Sequence, residues 1–214
     1  MAIHLILGGA RSGKSSYAEN SAKNLEKNTQ SQVFYVATAQ SLDGEMSARI
    51  KQHQQQRPNH WTLIESPIEL ANAIKQLVLK HNEQKQPITI LVDCLTLWLT
   101  NCLCSQETTI WQQEKQKLLS LLNDYEKMTD VNILLVSNEV GHGIVPMGEL
   151  SRDFVDQAGW LHQEVAAIAT DVDFIMAGIA LTLKSQPVKS NPIKSNPIKL
   201  QPAKSNPSKS QEYK

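Results

Sequence analysis

The octet Gly8-Gly9-Ala10-Arg11-Ser12-Gly13-Lys14-Ser15 constrains this chain more than any other feature. It meets the pattern G-x-x-x-x-G-K-[ST] at every required position. It follows the apolar run Ile3 to Leu7 and precedes a helical pattern from Lys14 to about Glu26. Strand, glycine loop and helix in that order form a phosphate cradle rather than a chance glycine turn. Gly8 and Gly13 let the backbone turn tightly and approach an anion. The loop amides and the helix N-terminus supply positive potential. Lys14 brings a point charge to the β and γ oxygens, and the Ser15 hydroxyl is placed for Mg²⁺.

The rest of the body reads as strands alternating with helices. Val33 to Ala37, Ile88 to Asp93 and Ile133 to Val136 read as buried strands, and Trp61 to Glu65 as a short one. Asp43 to about Gln56 is polar and helix-prone. Pro67 fits the first turn of a helix carrying Leu70, Ala71, Ile74, Leu77 and Val78. Trp111, Leu118, Leu122 and Tyr125 mark one further helix, and Phe154, Ala158, Leu161, Val165 and Ile168 another. Phe174 to Met176 and Leu181 to Leu183 read as closing strands. This alternation predicts an α/β fold of P-loop (RecA-like) type: a doubly wound, mostly parallel sheet with flanking helices. Ligands are expected at the C-terminal strand ends.

The end of the chain has a different composition. Pro187, Pro192, Pro197, Pro202 and Pro207 recur every five residues, in step with Lys189, Lys194, Lys199, Lys204 and Lys209. Prolines at this spacing block helix and central strand, and the segment is too poor in apolar residues to offset its ordering entropy. Residues 1–184 are therefore expected to form one P-loop nucleotide-binding domain, and 185–214 a disordered repeat tail. The whole chain holds 21 basic and 21 acidic residues; the tail holds six lysines and one acid, which leaves the body acidic. An acidic body argues against a nucleic-acid partner. No run of 18 apolar residues is present, so no membrane span is expected. No signal peptide is recognisable, and Cys94, Cys102 and Cys104 have no metal-ligand spacing. Both features point to the reducing cytoplasm.

Three candidates are less distinctive. Asp93 ends a strand, either as a Mg²⁺-side acid or as a cap for the next helix. Ser137-Asn138-Glu139 leads into Val140 to Pro146, a shaped loop or a plain surface turn. His53 lies between Arg49 and Arg57, and a histidine there can act as a nucleophile on phosphorus. Pattern alone favours an exposed histidine on a Gln-rich helix, and His60, His142 and His162 share that reading.

Taken together, several stretches resemble the bifunctional adenosylcobinamide kinase/adenosylcobinamide-phosphate guanylyltransferase family of the cobalamin pathway. They are GGARSGKS at 8–15, YVATAQ at 35–40, DGEMSARIKQH at 43–53, RPNHWTLIE at 57–65, DCLTLWLTN at 93–101, SNEVGHGIVP at 137–146 and LSRDFVDQAGWLHQ at 150–163. The resemblance implies two reactions. The first phosphorylates adenosylcobinamide with ATP or GTP. The second moves GMP from GTP onto a histidine, here His53, and then onto the new phosphate. It also implies nucleotide contacts at Gly8 through Ser15, at Thr38, Ala39 and Gln40, at Gln54, Gln55, Gln56 and Arg57, and at Glu65 and Asp93. Lys14 and His53 are the expected catalytic residues, Ser15 and Asp93 the expected Mg²⁺ ligands, and a homotrimer the expected assembly. The chain departs from the family pattern at His162, where Asn is more frequent, and at Val155, where Arg is common; that helix is assigned no role. The rival readings are a P-loop kinase of another small molecule without a covalent step, and a RecA-like nucleotide switch.

Overall fold

A computed structural model describes residues 2–40, 57–125 and 130–185; the side chain of Gln84 lies outside the description. The elements alternate as the sequence predicts. They are β1 (Ala2–Gly8), α1 (Lys14–Thr29), β2 (Gln32–Ala37), β3 (Thr62–Glu65), α2 (Leu70–Gln84), β4 (Ile88–Asp93), α3 (Leu95–Leu103), α4 (Ile110–Tyr125), β5 (Val131–Asn138), α5 (Glu149–Ile168), β6 (Asp171–Met176) and β7 (Ile179–Ser185). The expected helix from Asp43 to Gln56 and the tail beyond Ser185 fall outside the described residues.

The seven strands form one sheet in the order β3-β2-β4-β5-β1-β6-β7, parallel except for the final β6–β7 hairpin. β1 lies inside the sheet, between β5 and β6. Its alternate side chains face two cores. Ile3, Leu5 and Leu7 join a large core built with α2, α3, α4 and α5, while Ile6 joins a smaller one with Ala18 and Ala22 of α1. Burial on both faces explains why these strands read as continuous apolar runs. Trp98 and Trp111 are fully buried and meet edge to face, with centroids 5.3 Å apart, where α3 crosses α4.

Two local expectations are corrected. Pro67 is not in the first turn of α2, which starts at Leu70 after Glu69, a residue with non-helical backbone. Pro67 instead offers its carbonyl to the Asn101 amide at 3.0 Å. The closing strands are longer than their apolar residues suggest, because β6 begins at Asp171 and pairs with β7 as far as Ser185.

Candidate active site

The site forms where β1 ends. Gly8 is a requirement of close approach: a Cβ there would lie 2.6 Å from the carbonyl oxygen of Ile175 on β6. Gly13 has φ +94°, and a Cβ there would lie 3.3 Å from Gly178 Cα in the β6–β7 turn. Gly8 and Gly13 are thus pressed against the β6–β7 hairpin. Arg11 is also left-handed, with φ 56°. Lys14 opens α1, is 8% exposed, and folds back so that Nζ donates to Gly9 O at 3.1 Å. Burial holds its pKa below the ordinary lysine value, while the nearby Cys94 and Asp93 oppose that shift. An incoming phosphate would meet a lysine already turned over the loop.

Asp93 ends β4 on the other side of β5. It does not cap the following helix: α3 has Cys94 at its N-cap and no side-chain cap bond. Its Oδ2 instead accepts the hydroxyl of Tyr35 at 2.8 Å. Burial and the Asp93 charge push that phenol well above its usual pKa, so it remains a donor. The Arg57 guanidinium lies 3.6 Å from the centroid of the Tyr35 ring, within cation–π range, and its buried Nε has no hydrogen-bond partner among the described residues. Arg57, Tyr35 and Asp93 therefore form one stack beside the phosphate loop.

Thr38 is fully buried. Its hydroxyl donates to Cys94 O at 2.7 Å and receives the Cys94 amide at 2.9 Å. It fixes the backbone just after Asp93, which leaves the half-buried Ala39 and Gln40 as the open part of that stretch. Glu65 is exposed at the end of β3, the outermost strand, and pairs in register with Ala37. His53, Gln54, Gln55 and Gln56 lie outside the described residues. His60 and His142 are exposed as expected, their side chains 66% and 77% accessible. His162 is not: it is buried, with Nε2 2.7 Å from Ser137 Oγ. Its place one turn from Ala158 on an amphipathic helix was the available signal. The Tyr35–Asp93 bond and the contact of the β6–β7 hairpin with the loop left no trace in the sequence, because both depend on strand order.

A model of the family "Cobinamide kinase / cobinamide phosphate guanyltransferase" matches residues 4–183. The chain belongs to this family. The matched residues include the phosphate loop, Asp93 and most of the β6–β7 hairpin. The bifunctional adenosylcobalamin biosynthesis protein CobP of Pseudomonas aeruginosa is 45% identical, over 86% of this chain and 98% of its own length. The Escherichia coli protein CobU of the same description is 36% identical over 84% of this chain and 98% of its own. Among solved structures, an ATPase domain matches at TM-score 0.50 and 14% identity, covering 81% of this chain and 68% of that one. The flagellar accessory protein FlaH of Methanocaldococcus jannaschii matches at TM-score 0.50 and 16% identity, over 86% and 78%. These two share the fold, which is RecA-like. The protein is thus a bifunctional enzyme of cobalamin biosynthesis, a kinase and a nucleotidyltransferase.

Proposed function

We propose that the enzyme phosphorylates the aminopropanol hydroxyl of adenosylcobinamide with ATP or GTP, then transfers GMP from GTP to that phosphate through a guanylyl group on His53. The product is adenosylcobinamide-GDP. The observation that carries this reading is a buried lysine in a glycine loop beside a strand-end aspartate, in a chain of this family.

In the first half-reaction the loop amides and Lys14 hold the terminal phosphates, and the substrate oxygen attacks the γ-phosphorus in line. In the second, an imidazole nitrogen of His53 attacks the α-phosphorus and pyrophosphate leaves. The phosphate oxygen of the corrinoid then displaces the imidazole. A covalent step divides a demanding transfer into two displacements. Arg57 supports His53 as the nucleophile: it follows four residues later, a span of at most about 14 Å, and its guanidinium stands over Tyr35 next to Asp93. That cation would favour a neutral ring and attract the nucleotide.

Mg²⁺ fits the residues present. Ser15 offers a hydroxyl and Asp93 a carboxylate whose Oδ2 is oriented by Tyr35, and hard oxygen donors suit the ion. Among the described residues no group of three or more His, Cys, Asp and Glu could hold a metal, which suits an ion shared with substrate phosphates. When bound, it would neutralise charge building on the phosphate oxygens.

A homotrimer in the cytoplasm completes the reading. The exposed Ile144, Val145 and Met147 give apolar surface to cover in an assembly, and unpaired cysteines suit a reducing compartment. No described helix is long and apolar enough to cross a membrane. The test is product analysis: with Mg²⁺, ATP and GTP, the protein should convert adenosylcobinamide first to its phosphate and then to the GDP adduct. Lys14→Ala should lose both conversions, and retention of either at full rate would contradict a shared phosphate cradle.

A further inference from the structure

β5 lies between the phosphate-loop strand β1 and the Asp93 strand β4, and no step above uses the residues at its end. Its register sets Asn138 beside Gly8 on one side and Val136 beside Asp93 on the other. Asn138 is held in place: its side-chain amide donates to Thr96 Oγ1 at 2.8 Å. The next residue, Glu139, donates its backbone amide to Gly8 O at 3.0 Å. Its main chain is therefore fixed to the first residue of the phosphate cradle, whatever side chain it carries.

The Glu139 side chain is 19% exposed, so a substrate can reach it. Oε1 accepts the Gly141 amide at 2.6 Å. Oε2 lies 3.6 Å from Nδ1 of the buried His162, whose Nε2 is 2.7 Å from Ser137 Oγ. With a neutral ring, the carboxylate facing Nδ1 favours one proton order. The Ser137 hydroxyl donates to Nε2, which leaves the Nδ1 proton facing the carboxylate. Burial holds the His162 ring below the ordinary histidine pKa against the pull of Glu139, in keeping with a neutral donor.

A carboxylate next to an anion cradle opposes nucleotide binding, and such conflicts with local rules concentrate at functional sites. Asp93 is bound to Tyr35 on the metal side. Glu65 ends the outermost strand, with β2, β4 and β5 between it and β1. Glu139 is the acid whose own main chain is bonded to the loop, at Gly8 O.

We propose that Glu139 accepts the proton of the substrate hydroxyl in the phosphoryl-transfer step, and that His162 is its positioning residue. This rests on the kinase half of the proposed function. The hydroxyl O–H bond breaks and its proton passes to Glu139. The oxygen forms a bond to the γ-phosphorus as the bridging P–O bond breaks, and that electron pair leaves with the nucleoside diphosphate. The protonated carboxyl, being partly exposed, returns its proton to water. The 3.6 Å gap to His162 is longer than a hydrogen bond and would close with substrate in place.

The test is steady-state kinase kinetics on the full chain with adenosylcobinamide, Mg²⁺ and ATP or GTP, alongside nucleotide affinity from a fluorescent GTP analogue. Glu139→Gln preserves shape and the Gly8 bond. It should lower kcat about 100-fold or more, as loss of a proton acceptor does, with nucleotide affinity unchanged or tighter. Glu139→Ala should do the same. His162→Asn keeps a donor at the Nδ1 position and should retain most of kcat, whereas His162→Gln keeps only the Ser137 contact and should lose most of it. Wild-type kcat in Glu139→Gln, or Gln outperforming Asn at 162, would overturn the proposal. Wild-type protein that forms no cobinamide phosphate would instead overturn the kinase reading and this inference with it.

Discussion

The backbone amide of Gly178 donates to the carbonyl of Ser12 at 2.9 Å. The last hairpin of the sheet thereby grips the phosphate loop from below, at the point where Gly13 turns the chain into α1. The cradle is shaped by β6 and β7 as much as by its own glycines.

That contact makes Gly13 sensitive to a single methyl group. In Gly13→Ala the Cβ would sit 3.3 Å from Gly178 Cα on a residue with φ +94°, a conformation that costs a residue with a side chain about 1–2 kcal/mol. We expect GTP binding at least ~10-fold weaker by calorimetry, with an unchanged circular dichroism spectrum. Wild-type affinity would show that the hairpin does not constrain the loop.

The three thiols should separate by burial. Cys94 and Cys102 are buried, and burial pushes them up to about 11 and about 12; Cys104 is exposed. Because the thiolate is the reactive form, native protein at pH 8 should take up one equivalent of a thiol reagent, and denatured protein three. Cys104→Ser should react with none while folded. Rapid native labelling of Cys94 would contradict its placement beneath Asp93.

Asp173 joins β6 to α1 and β1, accepting the Tyr17 hydroxyl at 2.6 Å and lying 2.8 Å from His4 Nε2. Burial alone would raise its pKa, but the bonds from Tyr17, Thr182 and His4 outweigh it and hold the carboxyl below its usual value. A carboxyl depressed in the folded state stabilises the fold above its unfolded pKa, near 4, and that contribution is lost as pH falls through the folded value. Asp173→Asn should therefore be less stable than wild type in urea at pH 7, with the gap narrowing below about pH 4. A gap that stays constant down to pH 3 would show that ionisation is not the cause. Tyr17 is pushed up to about 12 by burial and by Asp173, so it should donate across this whole range.

The phosphate loop was legible because its spacing is a local requirement, met within eight consecutive residues. The strands were legible because both faces of β1, β4 and β5 are buried, so each reads as an unbroken apolar run. Strand order carries no such signal. Nothing in Ser137, Glu139 and His162 taken singly shows that they meet, since 25 residues separate Ser137 from His162. The hairpin beneath the loop was hidden for the same reason, because Gly178 reaches Ser12 only once β6 has paired with β1. Pro67 misled because a proline ahead of an apolar period also fits an irregular approach to a helix.

The proposed transfer of GMP turns on the covalent step at His53. Protein incubated with Mg²⁺ and GTP labelled at the α-phosphate, then denatured, should retain label that withstands base and is released by acid, as a phosphorus–nitrogen bond requires. The same protein carrying His53→Ala should retain none while still binding GTP. Full labelling of His53→Ala, or wild type that releases product without ever holding the label, would contradict the guanylyl-histidine route.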